Sequence, residues 1–132
     1  MSFAPRFLSI EQVLRLHKGQ IELFGGSHGV RDQGLLESAL AQPEAGFGDE
    51  CAHKDVFEMA AAYLFHLVQN HPFHDGNKRI GALVAAVFLQ TNGMRVDAAE
   101  DEFEALVFAT AQGKKKKPEI AKFFRDNCSP LT

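Results

Sequence analysis

Residues 70–79 gather groups that could act together in a phosphate-transfer reaction. His71 is a proton acceptor near neutral pH, and Asp75 offers the hard oxygen ligand that Mg²⁺ prefers. Lys78 and Arg79 are cations that can bind phosphate oxygens. A base, a metal ligand and an anion site in so short a segment favour transfer of a phosphate-bearing group from a nucleotide to a hydroxyl.

This segment is predicted to be a loop that runs into the start of a helix. Pro72 and Gly76 interrupt the helical pattern that ends near Gln69, and Asn77 is a residue that often caps a helix. The first turn of a helix carries unpaired N–H groups and the positive end of the helix dipole, so it can hold an anion. Gly76 has no side chain to block a phosphate, and Asn77 adds a side-chain donor.

The sequence His-Pro-Phe-His-Asp-Gly-Asn-Lys-Arg at residues 71–79 resembles the signature of the Fic superfamily, His-x-Phe-x-Asp/Glu-Gly-Asn-Gly/Lys-Arg. Every fixed position of that signature is filled. The form with Lys78 is similar to the Doc (death-on-curing) branch, whose members are the toxins of toxin–antitoxin pairs. The resemblance extends over residues 8–124 and includes Phe24-Gly25-Gly26 and the segment 34–40.

The resemblance implies a role for most residues of the motif. His71 would deprotonate the hydroxyl of a target protein, and Asp75 would bind Mg²⁺. ATP would be the phosphate donor, and its phosphates would be held by Gly76, Asn77, Lys78 and Arg79.

The residue one turn after the motif bears on which group is transferred. Fic members that transfer AMP commonly carry a second arginine three residues after the first, and Ala82 stands at that position here. Doc-like proteins share this absence and present the γ-phosphate, so they act as kinases on translation elongation factor Tu. We therefore predict a Doc-type protein kinase that inhibits translation, with AMP transfer as the alternative. One departure is Gly76, where the type member of the Doc branch has Ala.

Regulation is predicted to come from a second protein. Fic proteins are often silenced by a helix bearing Ser/Thr-x-x-x-Glu-Gly/Asn, but no glutamate in this chain precedes Gly or Asn. We therefore expect a cognate antitoxin whose disordered tail folds onto the toxin. A catalytically idle Fic-fold module that only binds its partner is a second alternative.

Three other features have functional interpretations that the sequence disfavours. His74 and Asp75 form the dipeptide used by HD-type phosphohydrolases, but that class needs further ligands from other helices. The run of lysines at residues 114–117 lacks interleaved aromatic residues, so a solvated turn is favoured over a nucleic-acid site. His17 falls on an apolar stripe and is predicted to be a hydrogen-bonded core histidine.

Apolar residues recur at helical spacing through most of the chain, which predicts a compact all-α bundle of about six helices. Residues suited to cap a helix stand near the predicted starts, and breaking residues follow most predicted ends. The predicted starts are Ser9, Asp32, Asp55, Asn77, Asp97 and Pro118. The predicted ends are Gly25, Pro43, Gln69, Asn92 and Gly113.

Two segments of this bundle are expected to shape the site. The helix after the motif is apolar around its circumference over residues 77–89, so we predict that it is the buried central helix. Residues 42–53 carry a proline and two glycines and are predicted to form a surface loop or a short flap. By resemblance, that flap would help to align the target segment, although an idle loop fits the sequence equally well.

Length and composition indicate one domain, residues 1–132, of a globular protein. The formal net charge is −3, which does not favour direct binding to nucleic acid. The start of the chain lacks a signal-peptide pattern, and the longest apolar run, residues 80–89, is too short to span a bilayer. We therefore expect a cytoplasmic protein with no membrane partner. Cys51 and Cys128 are expected to be free thiols there, although the sequence leaves a disulfide open.

Overall fold

The computed structural model describes residues 4–45 and 55–131, and within them the chain forms six α-helices. The helices are α1 (Ile10–Phe24), α2 (Gln33–Ala41), α3 (Val56–Asn70), α4 (Asn77–Thr91), α5 (Glu100–Ala111) and α6 (Lys117–Asn127). A 3₁₀ helix (Gln42–Glu44) follows α2, and the short strands β1 (Met94–Val96) and β2 (Cys128–Pro130) pair in antiparallel. The prediction of an all-α bundle is confirmed. No helix in the described ranges is both long and apolar enough to cross a membrane.

Local sequence sets the starts of the first three helices as predicted. The Ser9 hydroxyl accepts from the Gln12 N–H, and the Gln12 side chain accepts in return from the Ser9 N–H, which completes a capping box. Asp32 and Asp55 each accept a hydrogen bond from the backbone N–H three residues later. Caps of this kind typically contribute about 1 kcal/mol each to helix stability.

Two predicted caps are wrong. Gly76, not Asn77, is the cap of α4, and Asn77 is the first helical residue with a buried side chain that bonds to the loop. The cap of α5 is Ala99, and no side chain caps that helix. Asp97 instead accepts hydrogen bonds from Ser129 and Arg95, because the pairing of β1 with β2 brings Ser129 beside it.

The two helices that flank the motif loop occupy the middle of the bundle. Helix α4 packs against α1, α3, α5 and β1, so the prediction that it is buried is confirmed. Helix α3 packs against α2, α4, α5 and α6 and shares this central position. The two helices approach closely at Gly81, where an added Cβ would lie 2.9 Å from Val68 Cγ2. The motif loop is therefore mounted between two well-packed helices.

The predicted flap falls largely outside the described residues. Residues 42–45 form the 3₁₀ helix and the turn after it, whereas residues 46–54, including Cys51 and His53, are not described. Residues 94–96, between α4 and α5, form the strand β1. Its partner β2 was not predicted, because Cys-Ser-Pro carries no strand pattern.

Candidate active site

The motif loop, residues 71–76, begins with an abrupt change in backbone direction. Helix α3 ends at Asn70, and His71 caps it in the left-handed conformation, at φ 52° and ψ 53°. Few residues other than glycine adopt this conformation, although histidine does so more often than most. The turn places the His71 side chain on the exposed surface at the end of α3.

Phe73 anchors the middle of the motif loop in the core. Its ring is fully buried and stacks on the His17 ring, with centroids 3.7 Å apart and planes 10° apart. The side-chain amide of Asn77 holds the backbone of Phe73. It accepts from the Phe73 N–H and donates to the Phe73 carbonyl, each at 3.0 Å. Since this amide bonds to the loop, Asn77 has its backbone N–H left to offer an anion.

The first turn of α4 supplies the remaining donors. Its first helical hydrogen bond joins Ile80 N–H to Gly76 O at 2.9 Å. The N–H groups of residues 77–79 therefore have no acceptor within the helix. The side chains of Lys78 and Arg79 are exposed. The Arg79 guanidinium lies over the exposed Phe24 ring, 4.7 Å from its centroid, in a cation–π contact. Backbone donors and two cations at a helix start are groups that can bind an anion.

Asp75 is oriented by contacts at both its side chain and its carbonyl. Its Oδ2 accepts a hydrogen bond from the Ser27 N–H at 2.9 Å. Its backbone carbonyl accepts from His17 Nε2 at 2.8 Å. The carboxylate lies so close to Gly26 that a Cβ there would be 3.2 Å from Oδ2. A carboxylate held through one oxygen can still offer the other to a metal ion.

A second segment, residues 25–32 between α1 and α2, runs beside the motif loop and is called the backing segment below. The Pro72 carbonyl accepts from the N–H groups of Arg31 and Asp32, and Gly29 accepts from the His74 N–H. Arg31 also donates through Nε to the His71 carbonyl at 2.7 Å and through Nη2 to the Asn70 carbonyl at 3.1 Å. The backing segment therefore fixes the backbone on both sides of Phe73.

His17 is the buried histidine that the apolar stripe of α1 predicted. Burial lowers the pKa of its imidazole below the ordinary value of 6.5, and the hydrogen bond to the Asp75 carbonyl partly offsets that effect. The ring is therefore neutral at physiological pH. Because a carbonyl only accepts, the hydrogen of the neutral ring is assigned to Nε2.

All of the residues selected from the motif lie in this loop or in the first turn of α4. They are His71, Asp75, Gly76, Asn77, Lys78 and Arg79. Sequence reasoning did not select Ser27 and Arg31, which lie far away in the chain. The glycines of the backing segment, which adopt positive φ angles at 25, 26 and 29, were the available signal that this segment turns tightly.

The described residues do not provide the ligand set of an HD-type hydrolase. Within 4–45 and 55–131, no group of three or more His, Cys, Asp or Glu side chains is placed to hold a metal ion. Such a set would have to recruit histidines such as His53 and His66, and His53 lies outside the described residues.

Comparison with known proteins finds a matching family and two relatives. The model of the Fic/DOC family matches residues 7–89, which cover α1 to most of α4. A protein of Mycolicibacterium smegmatis named Toxin Doc is 43% identical over 84 residues, which are 59% of this chain and 65% of that protein. A protein of Escherichia phage P1 named Protein kinase doc is 32% identical over 120 residues, which are 91% of this chain and 94% of that protein. The first match thus spans slightly less than two-thirds of its relative, and the second spans nearly all of its relative.

Proposed function

This chain belongs to the Fic/DOC family, and from that premise we propose that it is a toxin that transfers a phosphate group from ATP to a hydroxyl of a target protein. The observation that carries the proposal is the intact motif loop. Exposed His71, Asp75, Lys78 and Arg79 are held around a buried Phe73 at the start of α4. Such an arrangement of a base beside an anion site suits group transfer from a nucleotide.

In the proposed reaction, His71 accepts the proton of the target hydroxyl. The hydroxyl oxygen forms a bond to the γ-phosphorus of ATP as the bond to the β,γ-bridging oxygen breaks, and ADP leaves. Lys78, Arg79 and the backbone N–H groups at the start of α4 hold the phosphates in place. Fixed donors of this kind stabilise the charge that develops on the transferred group.

The donor set fits Mg²⁺ as the metal. Magnesium is usually bound by one or two carboxylates, with phosphate oxygens and water completing its shell. Asp75 is the carboxylate of the motif loop, and its contact with Ser27 leaves one oxygen for such a role. Bound magnesium would supply positive charge to the phosphate oxygens during transfer.

Transfer of phosphate rather than AMP is supported by Ala82. This residue follows Arg79 by one turn of α4 and packs half-buried against the core, where AMP-transferring relatives commonly place a second arginine. The phage P1 relative is named as a protein kinase, in agreement with this assignment. Transfer of AMP to a protein hydroxyl is the alternative.

We further propose translation elongation factor Tu as the target and an antitoxin protein as the inhibitor. The target follows from the likeness to the Doc branch, and the inhibitor follows from the toxin name of the Mycolicibacterium relative. The chain also lacks the glutamate-containing sequence with which other Fic proteins silence themselves.

Expression in bacteria separates an enzyme from an idle binding module. We expect the wild-type chain to arrest growth, His71→Ala to abolish the arrest, and co-expressed antitoxin to suppress it. His74→Ala is the matched control, because His74 is another exposed histidine of the motif loop and contacts the backing segment through its backbone N–H. Growth arrest that persists in His71→Ala would support the binding module instead.

A further inference from the structure

We infer that His17 is a positioning residue that directs the backbone N–H of Gly76 toward the proposed phosphate site. His17 lies on α1, outside the motif, and does not touch the reacting atoms. The inference rests on the proposed function, because it concerns how the motif loop presents its donors. Its basis is the hydrogen bond from His17 Nε2 to the Asp75 carbonyl, at 2.8 Å.

The carbonyl of Asp75 and the N–H of Gly76 belong to one peptide group. In a trans peptide these two bonds point in opposite directions across a rigid plane, and the described chain contains no cis peptide. The bond to buried His17 draws the carbonyl inward, so the Gly76 N–H points away from the imidazole. That direction adds a backbone donor to those of residues 77–79 at the start of α4.

The imidazole is held firmly enough to set this direction. Its side chain is 3% exposed, and its ring is stacked on Phe73, whose backbone is in turn held by Asn77. Gly76 also lies against this part of α1, because an added Cβ would be 3.3 Å from Ile21 Cδ1 and 3.7 Å from His17 Nε2. Without a donor at position 17, the inward carbonyl would lack its partner, and the peptide is expected to rotate.

Three variants of the full-length chain test the role of this donor. His17→Phe keeps a ring that can stack on Phe73 but removes the donor. His17→Gln restores a donor at a similar reach from the backbone. Val13→Ala is the control for lost stability, because Val13 is fully buried on the same helix, one turn earlier, and its side chain has no group that could hydrogen-bond to the motif loop.

The readouts are the dissociation constant for ADP in the presence of Mg²⁺ and the NMR shift of the Gly76 amide during that titration. In the wild type, the Gly76 amide should shift on binding. His17→Phe should lose that shift and bind ADP about tenfold more weakly, as expected for the loss of one charge-assisted hydrogen bond. His17→Gln should regain most of the affinity, and Val13→Ala should bind as the wild type does.

Wild-type affinity and an unchanged Gly76 shift in His17→Phe would overturn the inference alone. If His17→Phe does not fold, the ADP titration of the wild type still tests the inference. Shifts of the Lys78 and Arg79 amides without a shift of the Gly76 amide would also overturn it. A wild-type loop in which no amide responds to ADP would overturn the proposed function, and this inference with it.

Discussion

The side-chain amide of Asn77 makes two hydrogen bonds to a single backbone residue, Phe73. Its Oδ1 accepts from the Phe73 N–H and its Nδ2 donates to the Phe73 carbonyl, both at 3.0 Å. Both residues are buried, so water cannot easily replace either bond. The pair closes the motif loop onto the first turn of α4, and therefore joins the residue that anchors the loop to the helix that carries the proposed anion donors.

Asn77→Ala is expected to lower the free energy of unfolding by roughly 2–4 kcal/mol, because two buried backbone groups of Phe73 lose their partners. Asn77→Asp should also destabilise, since a carboxylate cannot donate to the Phe73 carbonyl. Urea denaturation measures both effects. Lys78→Ala is the control, because that exposed side chain should change stability by no more than about 0.5 kcal/mol. Unfolding of Asn77→Ala at the wild-type midpoint would contradict this role.

Arg31→Ala should slow the transfer reaction by about tenfold while lowering stability by only about 1 kcal/mol. The reason is that the Arg31 guanidinium holds the carbonyls of Asn70 and His71 and so fixes the turn that presents the proposed base. The rate of transfer and a denaturation curve together measure the two effects. Arg15→Ala removes an exposed cation of α1 and should leave both quantities unchanged. A wild-type rate of transfer in Arg31→Ala would show that the turn at His71 keeps its conformation without the Arg31 guanidinium.

Gly26→Ala should raise the Mg²⁺ concentration needed for half-maximal activity. Its new Cβ would lie 3.2 Å from Asp75 Oδ2 and would push the carboxylate from its position. Gly25→Ala is a matched control, because both glycines have positive φ, 86° and 116°, but a Cβ at Gly25 meets nothing within 4 Å. Both variants therefore bear backbone strain, of about 1–3 kcal/mol each, and only Gly26→Ala displaces Asp75. An equal Mg²⁺ requirement in the two variants would contradict the assignment of Asp75.

Stability should depend on the ionisation of His17 below neutral pH. Burial lowers the pKa of the folded imidazole, so in the acidic range the unfolded chain binds a proton more readily than the folded chain does. The stability that neutral His17 confers is therefore complete above the unfolded pKa of about 6.5 and declines as the pH falls below it. Urea midpoints of the wild type and His17→Gln, measured from pH 7.5 to pH 5, should show the steeper decline in the wild type. Parallel declines would exclude His17 as the source.

The parts of the fold that depend on neighbouring residues could be predicted from the sequence. Ser9, Asp32 and Asp55 cap helices through groups three residues away, so the local pattern was sufficient. Asn77 and Asp97 have the same capping chemistry, but each bonds to another partner. Asn77 bonds to the backbone of Phe73, four residues earlier in the buried motif loop, and Asp97 bonds to Ser129, 32 residues away. A side chain that can cap a helix can also bond elsewhere, and only the packed structure selects between those uses.

The candidate site likewise combines residues that the sequence indicates with residues that only the packed structure brings together. The motif carries the proposed base, metal ligand and anion donors within nine consecutive positions, and these could be selected from the sequence alone. His17, Ser27 and Arg31 contact the motif loop across separations of 58, 48 and 40 residues. Nothing in their local patterns indicates those contacts, because they arise from the packing of α1 and the backing segment against the loop.

The most direct test follows the label from ATP to protein. The purified chain would be incubated with Mg²⁺, elongation factor Tu and ATP labelled at either the γ- or the α-phosphate, beside His71→Ala. We predict that only the γ-label reaches elongation factor Tu, and that His71→Ala transfers neither label. Transfer of the α-label would contradict the kinase assignment drawn from Ala82 and indicate AMP transfer. No transfer to elongation factor Tu or to any protein of a bacterial lysate would contradict the proposed enzyme activity itself.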